Sequence, residues 1–246
     1  MKDPCFALFE PLIRAGSDLL FPPSCPVCSR PLFESRNGLC EPCRQDISLI
    51  CSPLCTVCGR EMCDSAEGDH ICGVCLRKVP SFTSARGIAR YQDPVADLLH
   101  RLKYQSDYTV LPALLEIVKM NDPVLISQDD RIIPVPLHSR RLRFRGFNQA
   151  LLLADLFFPN GQKVLLRNVL QRVRNTEAQT GLNGAARRKN LKNAFAVCDP
   201  CKVRHRKIFL VDDVYTTGTT VSECSRVLLA AGAREVHVLT LARVDE

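Results

Sequence analysis

The sequence predicts an α/β protein: an open, mainly parallel sheet preceded by a small cysteine-rich module. Two observations carry this. Eleven of the fourteen cysteines lie before residue 76, eight of them in four Cys-x2-Cys pairs. After residue 80, apolar segments of strand length alternate with segments of helical period, as in folds built from β-α units. The 246 residues suffice for a real core, and the apolar (46%) and charged (24%) fractions are those of an ordinary soluble chain.

Residues 1–24 come first. Phe6, Phe9, Leu12, Ile13, Leu19 and Leu20 fit roughly one helical face and predict a short helix packed on the body. Glu10, Arg14 and Asp18 interrupt the apolar run and no small-residue cleavage site follows, so no export signal is expected. A helix lying on a membrane surface would carry more Lys and Arg on its polar face. No apolar run is long enough to span a bilayer, and the expected location is cytoplasmic.

Residues 25–80 form the cysteine-rich module. Cys25 and Cys28 are followed by Cys40 and Cys43; Cys55 and Cys58 are followed by Cys72 and Cys75. A two-residue gap lets one tight turn aim two thiolates at one ion, and a short hairpin returns the second pair. Four thiolates close a tetrahedron, so two structural zinc ions are expected, one per quartet. A disulfide framework would need an oxidising compartment. Cys51, Cys63 and His70 are read as bystanders, and "CDPC" at Cys198 and Cys201 as a turn. Residues 25–75 hold four Arg, no Lys and seven acids, a net charge of −3. Such a ribbon cannot neutralise phosphates by itself, which favours a role in folding or protein docking.

Residues 81–246 carry the alternation. "LRKVPSFTSA" reads as a linker and "ARGIARY" as a strand. "PVADLLHRLKY" and "TVLPALLEIVKM" read as helices, "RIIPVPL" as a strand entering a loop, "NQALLLADLFF" as a helix and "KVLL" as a short strand. "TEAQTGLNGAARRKNLKNAF" reads as a mobile basic loop with a helical turn. "KIFLVDD", "TTVSECSRVLLAAGA" and "EVHVLTLARV" close the chain as strand, helix and strand.

Charge is uneven. The net +7 resolves into +13 between His138 and Lys207, with sixteen Lys or Arg against Asp155, Glu177 and Asp199, and −6 elsewhere. A block this basic usually faces a polyanion, either nucleic acid or a ligand with several phosphates.

The stretch "IFLVDDVYTTGTTVSE" is the most informative. Asp212 and Asp213 end a strand apolar on both faces, where open α/β sheets hold ligands. Thr216, Thr217, Gly218, Thr219 and Thr220 then lead into a helix, whose amide groups and dipole suit a phosphate. There is no GK[ST], so the loop is not of the Walker kind. The carboxylates suit hydroxyls or a phosphate-bound magnesium ion. A ribose 5-phosphate, with a diol at one end and a phosphate at the other, satisfies both parts.

"FLVDDVYTTGTT" resembles the phosphoribosyl-pyrophosphate (PRPP) motif of type I phosphoribosyltransferases. The cysteine quartets, "LLHRLKY", "PVPLHSRRLRFRGFNQA" and "RRKNLKNAF" extend the likeness over nearly the whole chain, to the ComF family. These are amidophosphoribosyltransferase-like proteins linked with DNA uptake in bacterial competence. Ser139 departs from the proline common there. The resemblance implies that Asp212 and Asp213 bind the ribose hydroxyls and help position magnesium, and that Thr216 to Thr220 hold the 5′-phosphate. It implies a pyrophosphate loop at Pro136 to Arg141, with His138, Arg140 and Arg141 as contacts. It also implies a closing loop at Thr176 to Asn190 with Gln179, Arg187 and Arg188. Two functions follow as expectations. One is transfer of phosphoribosyl to an unidentified nitrogen acceptor. The other is a non-catalytic module that binds PRPP or a nucleotide, with single-stranded DNA on segment 138–207 and competence proteins on the ribbon.

Overall fold

The computed structural model describes residues 22–32, 38–62, 68–122, 124–174 and 191–244. The N-terminal helix expected within residues 1–24 lies almost wholly outside these, as do Cys63, Gln179, Arg187 and Arg188.

Four parallel strands form the main sheet: β1 (Ser84–Arg90), β2 (Arg131–Pro134), β5 (Lys207–Tyr215) and β6 (Glu235–Arg243), in the order β1-β6-β5-β2. β5 is central because Ile208, Phe209, Leu210 and Val211 are all buried, as its apolar run requires. Its register sets Asp212 beside Thr240 and Tyr215 beside Arg243, so the carboxyl ends of β5 and β6 finish together. A two-stranded antiparallel ribbon, β3 (Leu170–Arg172) with β4 (Phe195–Val197), stands apart from this sheet.

Helices α3 (Val95–His100), α4 (Leu111–Lys119) and α6 (Gln149–Phe157) bury Leu98, Leu99, Leu114, Ile117 and Leu153 in one core. The C-terminal helix α7 (Thr219–Ala230) buries Val221, Cys224 and Leu228 in a second core. Both cysteine quartets pack on this body. Two short helices, α1 (Glu41–Gln45) and α2 (Gly73–Arg77), begin at the second pair of each quartet. Cys25, Cys40, Cys43, Leu39 and Ile47 share the first core with α3 and α4, and the Leu39 N–H donates to Glu116 Oε2 at 3.1 Å. The second quartet docks on β1: the Ala85 N–H donates to the Val57 carbonyl at 2.7 Å. A Cβ at Gly59 would come within 2.3 Å of the Ala85 carbonyl oxygen, so only glycine allows this approach.

Three segments depart from expectation. "KVLL" is not a strand; Leu165 makes one isolated parallel bridge to Ile132. "SRRLRFR", expected within a loop, is a helix, α5 (Ser139–Arg145), ended at Gly146. None of its residues is buried, so no apolar period announces it. "PVADLLHRLKY" is not one regular helix. α3 passes into a π-type turn over Arg101–Gln105, closed by the Ser106 N–H on the Arg101 carbonyl. Arg101 is drawn aside by Asp107 at 2.6 Å and by the Pro26 carbonyl. Turns of this kind cluster at functional sites.

Candidate functional site

Asp212 and Asp213 lie at the carboxyl end of β5. The Asp213 side chain is 8% exposed, and its Oδ2 meets the Lys103 ammonium at 2.8 Å. Oδ1 of Asp213 accepts the Val214 N–H at 2.7 Å, and Oδ1 of Asp212 accepts the Asp213 N–H at 2.9 Å. Burial, then the neighbouring Asp213 charge, push the Asp212 carboxyl up to about 7, against the opposing pull of Lys103 and Arg172. Burial alone would lower the Lys103 pKa; the Asp213 carboxylate outweighs it and holds the ammonium above its ordinary value. One carboxylate therefore has its own counter-ion, and the other gains stabilisation from any cation or hydroxyl that arrives.

The threonine loop follows directly. Gly218 sits at φ +68°, and a Cβ there would fall 2.3 Å from the Tyr215 hydroxyl. The chain can turn into α7 only because this position has no side chain. Thr217 and Thr219 join hydroxyls at 2.8 Å, and α7 begins at Thr219 with no side-chain cap. The positive end of its dipole favours an anion at this point.

The segment expected to supply phosphate contacts is brought to the same end of the sheet. The Val135 N–H donates to the Val211 carbonyl at 2.8 Å, extending β2 alongside β5. His138 caps α5: its Nδ1 accepts the Arg140 N–H at 3.3 Å. This gives His138 a structural task. Arg140 is exposed and Arg141 half-buried. Burial first and Arg141 second depress the Arg172 pKa, while Asp212 opposes them, which sets Arg141, Arg172 and Asp212 in one electrostatic neighbourhood.

Sequence reasoning missed Lys103 and Arg172. Lys103 was legible only as part of "LLHRLKY", where its role depends on the π-type turn. Arg172 sits on β3, with its guanidinium 5.5 Å from the Phe195 ring centroid, and no local pattern singled it out.

The metal centres are as the spacing predicts. Cys25, Cys28, Cys40 and Cys43 bring their Sγ atoms within 4.8 Å of one another, and so do Cys55, Cys58, Cys72 and Cys75. Tetrahedral Zn–S bonds of about 2.3 Å require S–S separations of about 3.8 Å. Cys58 and Cys72 stand at 3.8 Å and Cys28 and Cys40 at 3.4 Å, so both quartets fit zinc. Burial disfavours the Cys25 thiolate, but N–H groups of Cys40, Cys28 and Val27 outweigh it and bring the thiol down to about 6. Cys55 repeats this with N–H groups of Cys72, Cys58 and Val57, also reaching about 6. Cys51 and His70 stand outside both clusters, and Cys198 and Cys201 flank an exposed turn.

Fold and site together define a double zinc ribbon joined to an open parallel α/β sheet, with a carboxylate pair and a threonine loop at its carboxyl end. The double zinc ribbon domain family matches residues 16–76. The chain is 36% identical over 230 residues to Competence protein F of Haemophilus influenzae, covering 89% of this chain and 96% of that protein. It is 35% identical over 222 residues to the DNA utilization protein YhgH of Escherichia coli strain K12, covering 84% and 97%. It is 27% identical over 225 residues to Competence protein ComFC of Bacillus subtilis, covering 86% and 87%. The chain belongs to the ComF family. Among the described residues no helix is long and apolar enough to cross a membrane.

Proposed function

We propose that the carboxyl end of β5 binds PRPP and that the protein transfers phosphoribosyl to a nitrogen acceptor. One observation carries this reading: Asp212 and Asp213 are followed at once by a loop whose Gly218 has positive φ and which opens the uncapped α7. The carboxylates accept hydroxyls of the sugar, and the amide and hydroxyl groups of Thr216 to Thr220 hold the 5′-phosphate. Arg141 and Arg172 give the pyrophosphate its positive surroundings, with Arg140 at the rim. Gln179, Arg187 and Arg188 belong to the closing loop of this proposal. Magnesium would be carried in on the ligand, as a hard cation suited to the carboxylate oxygens of Asp212. When bound, magnesium stabilises charge on the departing pyrophosphate. Residues 25–80 serve as the ribbon module and 81–246 as the transferase-like domain, in a cytoplasmic protein. Pyrophosphate release from PRPP, screened over bases and amines, tests the activity. Release that is lost in Asp212→Asn/Asp213→Asn supports it, and binding without release under every acceptor contradicts it.

A second reading, in which the protein binds single-stranded DNA during DNA uptake, is favoured by an exposed surface of aromatic and cationic side chains on the π-type turn and α5. Tyr104 is 65% exposed between His100, at 4.7 Å ring to ring, and the Arg145 guanidinium at 5.5 Å. Phe144 is 96% exposed beside Arg143. Aromatic faces among cations suit unpaired bases. The names of the relatives, competence and DNA utilization proteins, agree with this cellular role. Oligonucleotide anisotropy across salt tests it: Tyr104→Ala and Phe144→Ala weaken binding at every salt concentration, whereas no binding at low salt contradicts it.

A further inference from the structure

A cavity of about 800 Å³ lies between the second ribbon and the threonine loop. Arg60, Val74 and Lys78 line it from the ribbon side, and Leu191, Lys192 and Tyr215 from the body. The loop from Thr216 to Thr219 forms part of its wall, but Asp212 and Asp213 do not line it. The cavity thus shares the threonine loop with the proposed 5′-phosphate site and extends from that loop toward the second ribbon.

Its chemistry is mixed in a specific way. Leu191 and Tyr215 give it a buried apolar floor, and Val74, 48% exposed, stands over it. Two of the charges along it are already matched, since Glu223 pairs with Arg226 at 2.7 Å. Arg243 is committed to the Cys58 carbonyl at 2.6 Å. Arg60 and Lys78 on the ribbon side and Lys192 on the body form no salt bridge among the described residues, and Lys192 lies near enough to Glu223 to help lower its pKa. An anion between the walls is attracted by all three. The volume lies in the range of small-molecule sites, about 300–1,000 Å³, and far exceeds what an inorganic anion fills.

We propose that this cavity is a second ligand site, for a small organic anion with an apolar ring body. The ring packs against Val74, Leu191 and Tyr215, and the anionic group is held by Arg60, Lys78 and Lys192. Aromatic carboxylates and nucleoside monophosphates share this chemistry. Because the threonine loop is a common wall, occupation of the cavity and occupation of the sugar-phosphate site are linked through one segment of backbone.

The test uses the zinc-loaded full chain and the fluorescent ring sulfonate 8-anilinonaphthalene-1-sulfonate. Saturable binding at one site is expected, with affinity lowered roughly tenfold or more in Lys78→Glu/Lys192→Glu and in Val74→Trp. Asp212→Asn/Asp213→Asn leaves the probe affinity unchanged, so failure here is separate from failure of the PRPP reading. Displacement by an aromatic carboxylate or by a nucleoside monophosphate identifies which source the site accepts. Lys78 and Lys192 are exposed, so their variant is expected to fold, and retained zinc content checks it. Unchanged affinity in both cavity variants, or displacement by neither class, overturns the proposal.

Discussion

The Lys103 ammonium lies 2.8 Å from the Asp213 carboxylate, with side chains only 17% and 8% exposed. Removing one partner leaves a buried charge alone, which costs more than the pair contributes. Lys103→Met is expected to destabilise the fold by about 3 kcal/mol in urea unfolding, and Lys103→Met/Asp213→Asn to recover most of that.

Asp212 predicts a pH dependence of opposite sign to the usual carboxylate. Its folded pKa is raised to about 7, above the unfolded value, so the native state holds the extra proton between them. Stability from this group is present at low pH and is lost as pH rises toward 7. Asp212→Asn is therefore expected to be more stable than the parent at pH 8, by on the order of a few kcal/mol. The gain shrinks as pH falls from 7 to 5, which thermal unfolding at several pH values would reveal.

Arg243 ties the second ribbon to Tyr215 at the start of the threonine loop. Its Nη1 donates to the Cys58 carbonyl at 2.6 Å, and its guanidinium lies 4.5 Å from the Tyr215 ring centroid. Burial raises the Tyr215 hydroxyl to about 12, so it stays neutral beneath Gly218. Arg243→Met is expected to cost about 2–3 kcal/mol and to weaken phosphate binding while zinc stays bound. Calorimetry beside metal analysis checks both.

Gly218→Ala places a Cβ against the Tyr215 hydroxyl at positive φ. A loss of at least about 1 kcal/mol in stability is expected, with a larger loss of phosphate affinity. Gly218→Ala/Tyr215→Phe is not expected to restore binding, because the ring Cζ would still stand 2.6 Å from that Cβ and φ stays positive.

Two zinc ions per chain are expected, and Cys28→Ser or Cys58→Ser should each remove one. Loss at the first centre should lower the melting temperature more. Cys25, Cys40 and Cys43 sit in the same core as α3 and α4, whereas the second quartet forms its own small cluster.

Much of this was legible because its signals are local. The Cys-x2-Cys pairs fix the metal quartets through turn geometry. "KIFLVDD" declares a strand buried on both faces and sets its acids toward the carboxyl end of β5. What stayed hidden depends on distant packing. Lys103 reaches Asp213 only through a π-type turn shaped by Arg101, Asp107 and Pro26. Arg172 arrives on β3, whose partner β4 lies more than twenty residues along the chain. α5 buries nothing, so its helix left no apolar period to find.

The most direct test of the central claim is titration calorimetry of PRPP with magnesium into the zinc-loaded protein and into Asp212→Asn/Asp213→Asn. The account predicts saturable one-to-one binding to the parent chain and a loss of roughly a hundredfold or more in the variant, as expected for two charge-assisted contacts. Equal affinity in both, or no binding to the parent chain, would contradict it.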